Sequence, residues 1–160
     1  MKKVKLETVL TVYDSIQELT SEVAGLMQKA VEARKKAYSP YSNFSVGAAI
    51  QLDNGEIITG SNQENASYPS GLCAERTAIF YAGAKFPQAK ILTMAITAGA
   101  RDKKTKKPIP PCGACRQTIA EYEVKQESPI EIYFMGEIGN VVQSDSLANL
   151  LPLIFDKTAL

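Results

Sequence analysis

Three cysteines and no histidine constrain this chain more than any other feature. Cys112 and Cys115 form a CxxC in the run PPCGACRQ, and Cys73 lies far upstream in GLCAER. A CxxC turn can be a redox pair, a disulfide or half of a metal site. The redox reading employs Cys112 and Cys115 but leaves Cys73 idle. An odd cysteine count in a chain read as cytosolic argues against a structural disulfide. The metal reading employs all three, and it requires the two segments that carry them to meet in the fold. CxxC alone is a weak signal. With a distant helix-start Cys-x-Glu it becomes a strong one.

The pattern along the chain supplies elements that can bring them together. Residues 3–13, KVKLETVLTVY, alternate roughly in polarity and predict an extended strand. TSEVAGLMQKAVEARKKAY predicts a helix with Thr20 or Ser21 as N-cap and Val23, Leu26, Met27, Ala30 and Val31 on one face. Basic residues Arg34, Lys35 and Lys36 suit its last turns, and Pro40 stops it. SVGAAIQL and EIITGSN flank Asn54-Gly55, a hairpin signal. GLCAERTAIFYAGAKF reads as a helix with Cys73, Glu75 and Arg76 in its first turn. KILTMAITAG is an apolar run expected of a strand buried on both faces. CGACRQTIAEYEV, entered from Pro110-Pro111, is a helix with the CxxC in its first turn. PIEIYFMG and VVQ read as strands and SLANLLP as a short helix. Strands interleaved with helices predict an α/β fold, three-layer α/β/α, with a mixed sheet of about five strands.

At 160 residues the chain is most simply read as one domain. A formal net charge of +1 gives no general attraction for nucleic acid or anionic membrane. No run approaches the roughly 20 apolar residues of a membrane span. The start, MKKVKLETVLTVYDS, is charged like a signal peptide, but Lys5, Glu7 and Thr8 interrupt the apolar stretch such a peptide needs. The expectation is a cytoplasmic protein without nucleic-acid or membrane partners. The basic run RDKKTKK, residues 101–107, reads as a solvated loop.

Counting ligands sharpens the metal reading to zinc with a vacancy. A structural zinc site is usually closed by four Cys or His side chains, whereas a catalytic one keeps a position open. Here no histidine or fourth cysteine exists to close it. Glu75 is the nearest carboxylate, but positions i and i+2 of a helix point apart. Glu75 is therefore better placed facing the open position than filling it. Zinc acidifies bound water, and a nearby carboxylate can take that proton and return it to a leaving group, so the site reads as hydrolytic. Three thiolates weaken the metal's acidifying power. Arg76 and Arg116 could offset this by donating hydrogen bonds to the sulfurs, or could each lie on a solvated helix face.

Cys73-Ala74-Glu75-Arg76 followed by Pro111-Cys112-Gly113-Ala114-Cys115-Arg116-Gln117 resembles the signature of the zinc-dependent cytidine deaminases. The likeness extends through YSPYSNFSVGAAI, GSNQENASYPSGLCAERTAIFYA and the C-terminal LLP, roughly residues 21–155. It leaves residues 1–20 as an N-terminal extension and 21–160 as the catalytic domain. Cysteine rather than histidine at the first ligand position resembles the small homotetrameric members, whose sites lie at subunit interfaces. The resemblance implies one zinc ion per chain on Cys73, Cys112 and Cys115, with Glu75 as proton shuttle. It implies hydrolytic deamination of cytidine and deoxycytidine to uridine and deoxyuridine, in pyrimidine salvage.

Further roles come from the same resemblance. Asn62 and Glu64 match a pair that holds the ribose 3′-hydroxyl, though on residue type alone they are ordinary turn chemistry after a strand. Phe44 matches an aromatic against the nucleoside, and by itself would read as core. The Ala74 N–H matches a donor to the base carbonyl, Tyr68 lies in the same loop, and Phe155 resembles a C-terminal aromatic that reaches a neighbouring site. Two other readings stand beside this one. One is a deaminase of another nucleoside on the same scaffold, blasticidin-type or acting on a modified cytidine. The other is a zinc-stabilised binding module without catalysis, which gives no use to Glu75 or to Asn62 and Glu64.

Overall fold

Alternating side chains of the central strands sort to two faces of one sheet, and helices cover both. The structure is a computed structural model that describes residues 1–157 and Leu160. In chain order its elements are β1 (Thr11–Tyr13), α1 (Ser21–Arg34), β2 (Phe44–Leu52), β3 (Ile57–Ser61), α2 (Ala74–Lys85), β4 (Ile91–Ala100), α3 (Gly113–Gln126), β5 (Glu131–Met135) and β6 (Val141–Ser144). Ala48, Ile50, Met94, Ile96, Ile132 and Phe134 point to one face, where Ala78 and Ile79 of α2 and Ile119 and Ala120 of α3 pack on them. Their neighbours Ala49, Ala95, Tyr133 and Met135 point to the other face, against Leu26, Met27 and Ala30 of α1. This is the expected three-layer α/β/α arrangement.

The sheet is mixed, in the order β1-β6-β5-β4-β2-β3. Among the sheet strands of the described residues only β4 and β5 pair in parallel, and α3 makes the crossover between them that a parallel pair requires. The β2–β3 hairpin turns at Asn54-Gly55, where Gly55 adopts φ 86 and Leu52 N–H donates to Glu56 O at 2.9 Å. Six strands stand where about five were expected, because a short N-terminal strand is added at the β6 edge, Val12 opposite Val142.

That strand is also a correction. The alternation over residues 3–13 yields pairing only at Thr11–Tyr13. Val4, Leu6, Val9 and Leu10 lie exposed before it, since β6 offers only four residues to pair with and the arm runs past its end. Two smaller expectations shift as well. Thr20 caps α1, accepting from Val23 N–H at 3.3 Å, and the buried face runs Leu26, Met27, Ala30 and Ala33, with Val31 only half-buried. SLANLLP forms a single 3-10 turn, Leu147–Asn149. No helix among the described residues is long and apolar enough to cross a membrane.

Candidate active site

The first turns of α2 and α3 meet on one face of the sheet, and the cysteines occupy their starts. Cys73 is the N-cap of α2 and Cys112 the N-cap of α3, each with extended backbone and neither using its side chain to cap its helix. The sulfurs turn toward each other instead, with Cys73 Sγ and Cys112 Sγ 3.9 Å apart. Cys115, fully buried one turn into α3, completes the group, and all three sulfurs lie within 4.8 Å of one another. Positive helix ends favour the thiolate, which is the metal-binding form. The approach of α2 depends on Gly60 of β3, where an added Cβ would stand 2.5 Å from the Ala74 carbonyl oxygen and 2.7 Å from Ala78 N.

The donor set fits zinc. With Zn–S bonds of about 2.3 Å, tetrahedral sulfurs stand about 3.8 Å apart, close to the Cys73–Cys112 separation. The thiols do not titrate alike. A hydrogen bond from Cys115, helped by Arg76 and Cys112, holds Cys73 down to about 5, and that bond together with burial pushes Cys115 up. Arg76 donates from Nη2 to Cys73 Sγ at 3.7 Å, while its Nε is buried without a partner among the described residues. Arg116 behaves otherwise than expected. Its Nε donates to Pro111 O and its Nη1 to Leu150 O, both at 2.8 Å, so it ties the CxxC entry to the C-terminal segment. Fixed carbonyls within reach of its fork outcompete the sulfurs.

Glu75 follows Cys73 into the first turn of α2 and is 4% exposed. Burial, with the negative Cys73 sulfur adding to it, pushes its carboxyl up to about 7, against an opposing hydrogen bond from its own N–H. A carboxyl so poised can both take and give a proton near neutral pH. Glu75, Cys73 and Cys112 line a cleft of about 450 Å³. Its other walls come from Phe44 and Val46 of β2, Asn62–Glu64 after β3, the 68–72 loop and Ile109-Pro110.

Of the remaining residues singled out in the sequence, Asn62, Glu64 and Tyr68 line this cleft, and Phe155 does not. Asn62 inserts its amide into β2, donating to Phe44 O at 2.9 Å and accepting from Val46 N–H at 2.7 Å, which leaves one Nδ2 hydrogen unspent. Glu64 Oε2 accepts from Tyr41 N–H at 2.8 Å and Ser42 N–H at 3.3 Å, and Oε1 accepts from the Ser42 hydroxyl. Ala74 is the first residue of α2 and fully buried, so its N–H belongs to the group that the helix ladder leaves unused. Tyr68 stands at the rim, 74% exposed, its ring centroid 5.8 Å from that of Tyr41. Phe155 is 61% exposed and does not line its own chain's cleft, although Gln117 Nε2 donates to its carbonyl at 2.8 Å. Tyr41 and Ser42 were missed in the sequence. PYSN signals only a turn, and nothing in it announces a carboxylate partner over twenty residues downstream.

The chain is similar to known proteins. A model of the cytidine and deoxycytidylate deaminase zinc-binding region matches residues 20–128. A cytidine deaminase of Halalkalibacterium halodurans is 41% identical over 130 residues, 81% of this chain and 91% of that one. One from Sporosarcina psychrophila is 38% identical over 136 residues, 85% of this chain and 93% of that one. Among solved structures, a cytidine deaminase from Burkholderia pseudomallei superposes with a TM-score of 0.71 at 38% identity, covering 86% of this chain and 100% of that chain. One from Mycobacterium leprae superposes with a TM-score of 0.64 at 34% identity, covering 83% and 99%. With the matched region running from the cap of α1 past the end of α3 and holding all three cysteines, the chain belongs to the cytidine and deoxycytidylate deaminase zinc-binding family.

Proposed function

We propose that this protein is a zinc-dependent hydrolase that deaminates cytidine and deoxycytidine to uridine and deoxyuridine, releasing ammonia. The observation that carries the reading is a group of three converging sulfurs, two of which, those of Cys73 and Cys112, line one cleft together with the buried carboxyl of Glu75. Cys73, Cys112 and Cys115 would hold the zinc ion, which would supply Lewis-acid activation of water. Glu75 takes a proton from the attacking water and gives one to the amino group that leaves as ammonia. Arg76, donating to Cys73, disperses the charge of the thiolate set.

The rest of the cleft orients the substrate. The spare Nδ2 hydrogen of Asn62 and a remaining lone pair of Glu64 suit a sugar 3′-hydroxyl, one donating and one accepting. Phe44 packs on the nucleoside, the Ala74 N–H donates to the base carbonyl, and Tyr68 closes the rim. Exposed Phe155, turned away from its own cleft, suits the site of a neighbouring subunit in a homotetramer. A ligand without the 3′-hydroxyl would forgo the hydrogen bonds to both Asn62 and Glu64, which is how such a site discriminates against it.

The test is direct. Zinc-loaded, folded protein is incubated with cytidine and with deoxycytidine while ultraviolet absorbance follows conversion to the uracil nucleoside. Turnover of both is expected, with one zinc per chain. A zinc-loaded sample that leaves both unchanged overturns the reading.

A further inference from the structure

The loop after β4 holds a residue that the cleft itself does not display. Arg101 opens the basic run expected to be solvated, yet it is fastened at two points to a single turn. Its main-chain N–H donates to Asn43 O at 2.9 Å, and its Nη2 donates to Ser39 Oγ at 3.2 Å. Ser39 is fully buried, and its hydroxyl also meets Ser45 Oγ at 3.1 Å. Asn43 N–H in turn donates to Ser39 O, closing the turn on itself at 3.2 Å, and Asn43 adopts φ 54. Between these two anchors lie Tyr41 and Ser42, whose N–H groups and hydroxyl hold the Glu64 carboxylate. The downstream part of the loop is fastened too. Lys104 pairs with Glu137 at 2.7 Å, and Glu137 N–H donates to Thr105 O at 2.7 Å, so Arg101 sits on a braced segment.

We propose that Arg101 is a positioning residue for sugar recognition: it clamps both ends of the 39–43 turn and thereby holds Glu64 ready for the 3′-hydroxyl. This rests on the reading of Glu64 given above. The clamp holds a group that the reading assigns to the sugar, and its hydrogen bonds to Ser39 and Asn43 touch neither the cysteines nor Glu75. Losing it loosens a hydrogen-bond acceptor that binds substrate and transition state alike, which raises KM and leaves kcat. The Ser42 hydroxyl first, then the Tyr41 and Ser42 N–H groups, favour the ionised form of Glu64, and the Arg101 charge adds a smaller contribution that only a basic residue at this position keeps.

The test compares deoxycytidine with 2′,3′-dideoxycytidine, which lacks the 3′-hydroxyl, on zinc-loaded protein. Arg101→Gln is expected to raise KM for deoxycytidine about fivefold, the scale of one weakened hydrogen bond to a charged group, with kcat and zinc content unchanged. KM or Ki for the dideoxynucleoside should not move, and Arg101→Lys should recover part of the loss. Ser39→Ala, which removes the far anchor, should shift KM in the same direction. Glu64→Gln provides the reference. If it raises KM for deoxycytidine alone while Arg101→Gln and Ser39→Ala do not, the clamp is overturned and the sugar reading stands. If Glu64→Gln affects both nucleosides equally or neither, the sugar reading fails and the clamp with it. An Arg101→Gln effect of equal size on both nucleosides also overturns the clamp.

Discussion

Gly60 of β3 faces the Ala74 carbonyl so closely that an added Cβ would lie 2.5 Å from that oxygen. The obstruction is backbone, which cannot swing aside as a flexible side chain would. Gly60→Ala must therefore push the first turn of α2 away from the sheet, and Cys73 and Glu75 move with it. The expected cost is about 1–3 kcal/mol of stability, the scale of overpacking, together with weakened zinc retention. Thermal unfolding and metal content after dialysis against a weak chelator check it. A variant with wild-type stability and zinc would show that α2 does not depend on this approach.

Glu75→Gln tests the proposed proton carrier apart from the candidate metal site. The amide fills the same buried space but cannot accept and return a proton at neutral pH. Zinc content and folding should match wild type, while turnover falls by about 10²–10⁴. Single-turnover conversion of deoxycytidine measures this. Normal turnover would remove Glu75 from the chemistry.

How far the site could be read in advance depends on whether its signal was local. Cys73 and Cys112 could be placed at helix starts because each precedes an apolar periodic run, and both proved to be N-caps. The Asn54-Gly55 hairpin and doubly buried β4 likewise carry their own signals, a positive-φ turn and an unbroken apolar run. What escaped depends on pairs distant in sequence. Asn62 spends its amide on the backbone of β2, Arg116 chooses Leu150 O over a sulfur, and Arg101 reaches Ser39. A charged or amide side chain has many partners of similar energy, and only the assembled fold selects one. The N-terminal alternation misled for a related reason. Strand formation needs a partner edge as well as a pattern, and β6 ends after four residues.

Cys112 and Cys115 should differ in their stability cost although both are proposed to hold the metal. Cys115 is buried at the foot of α3, whereas Cys112 is exposed at its cap. Cys112→Ala and Cys115→Ala should each lose tightly bound zinc, and with it the stabilisation that metal binding contributes. In excess chelator, Cys112→Ala should unfold with the chelated wild type. Cys115→Ala should unfold earlier, by about 1 kcal/mol, for the space left by its sulfur. Thermal melts with and without chelator read both effects. Zinc retained tightly by Cys112→Ala would point to a different ligand set.

Sugar discrimination should be insensitive to pH across the neutral range, and the sign follows from how Glu64 is held. The Ser42 hydroxyl first, then the Tyr41 and Ser42 N–H groups and the Arg101 charge, lower its carboxyl below the ordinary value of 4.5. A depressed carboxylate keeps its contribution above the ordinary value and loses it only as pH falls through the lowered one. The ratio of KM for 2′,3′-dideoxycytidine to KM for deoxycytidine should therefore stay flat from about pH 8 to about pH 5. Initial rates at fixed ionic strength give the ratio at each pH. A decline between about pH 7 and pH 5 would mean that Glu64 titrates high, as a carboxylate without those donors and in an apolar wall would do. Extending the series to about pH 3 on wild type and Arg101→Gln tells how charge and geometry share the clamp: loss of the charge moves the fall toward 4.5, and loss of geometry lowers the whole plateau.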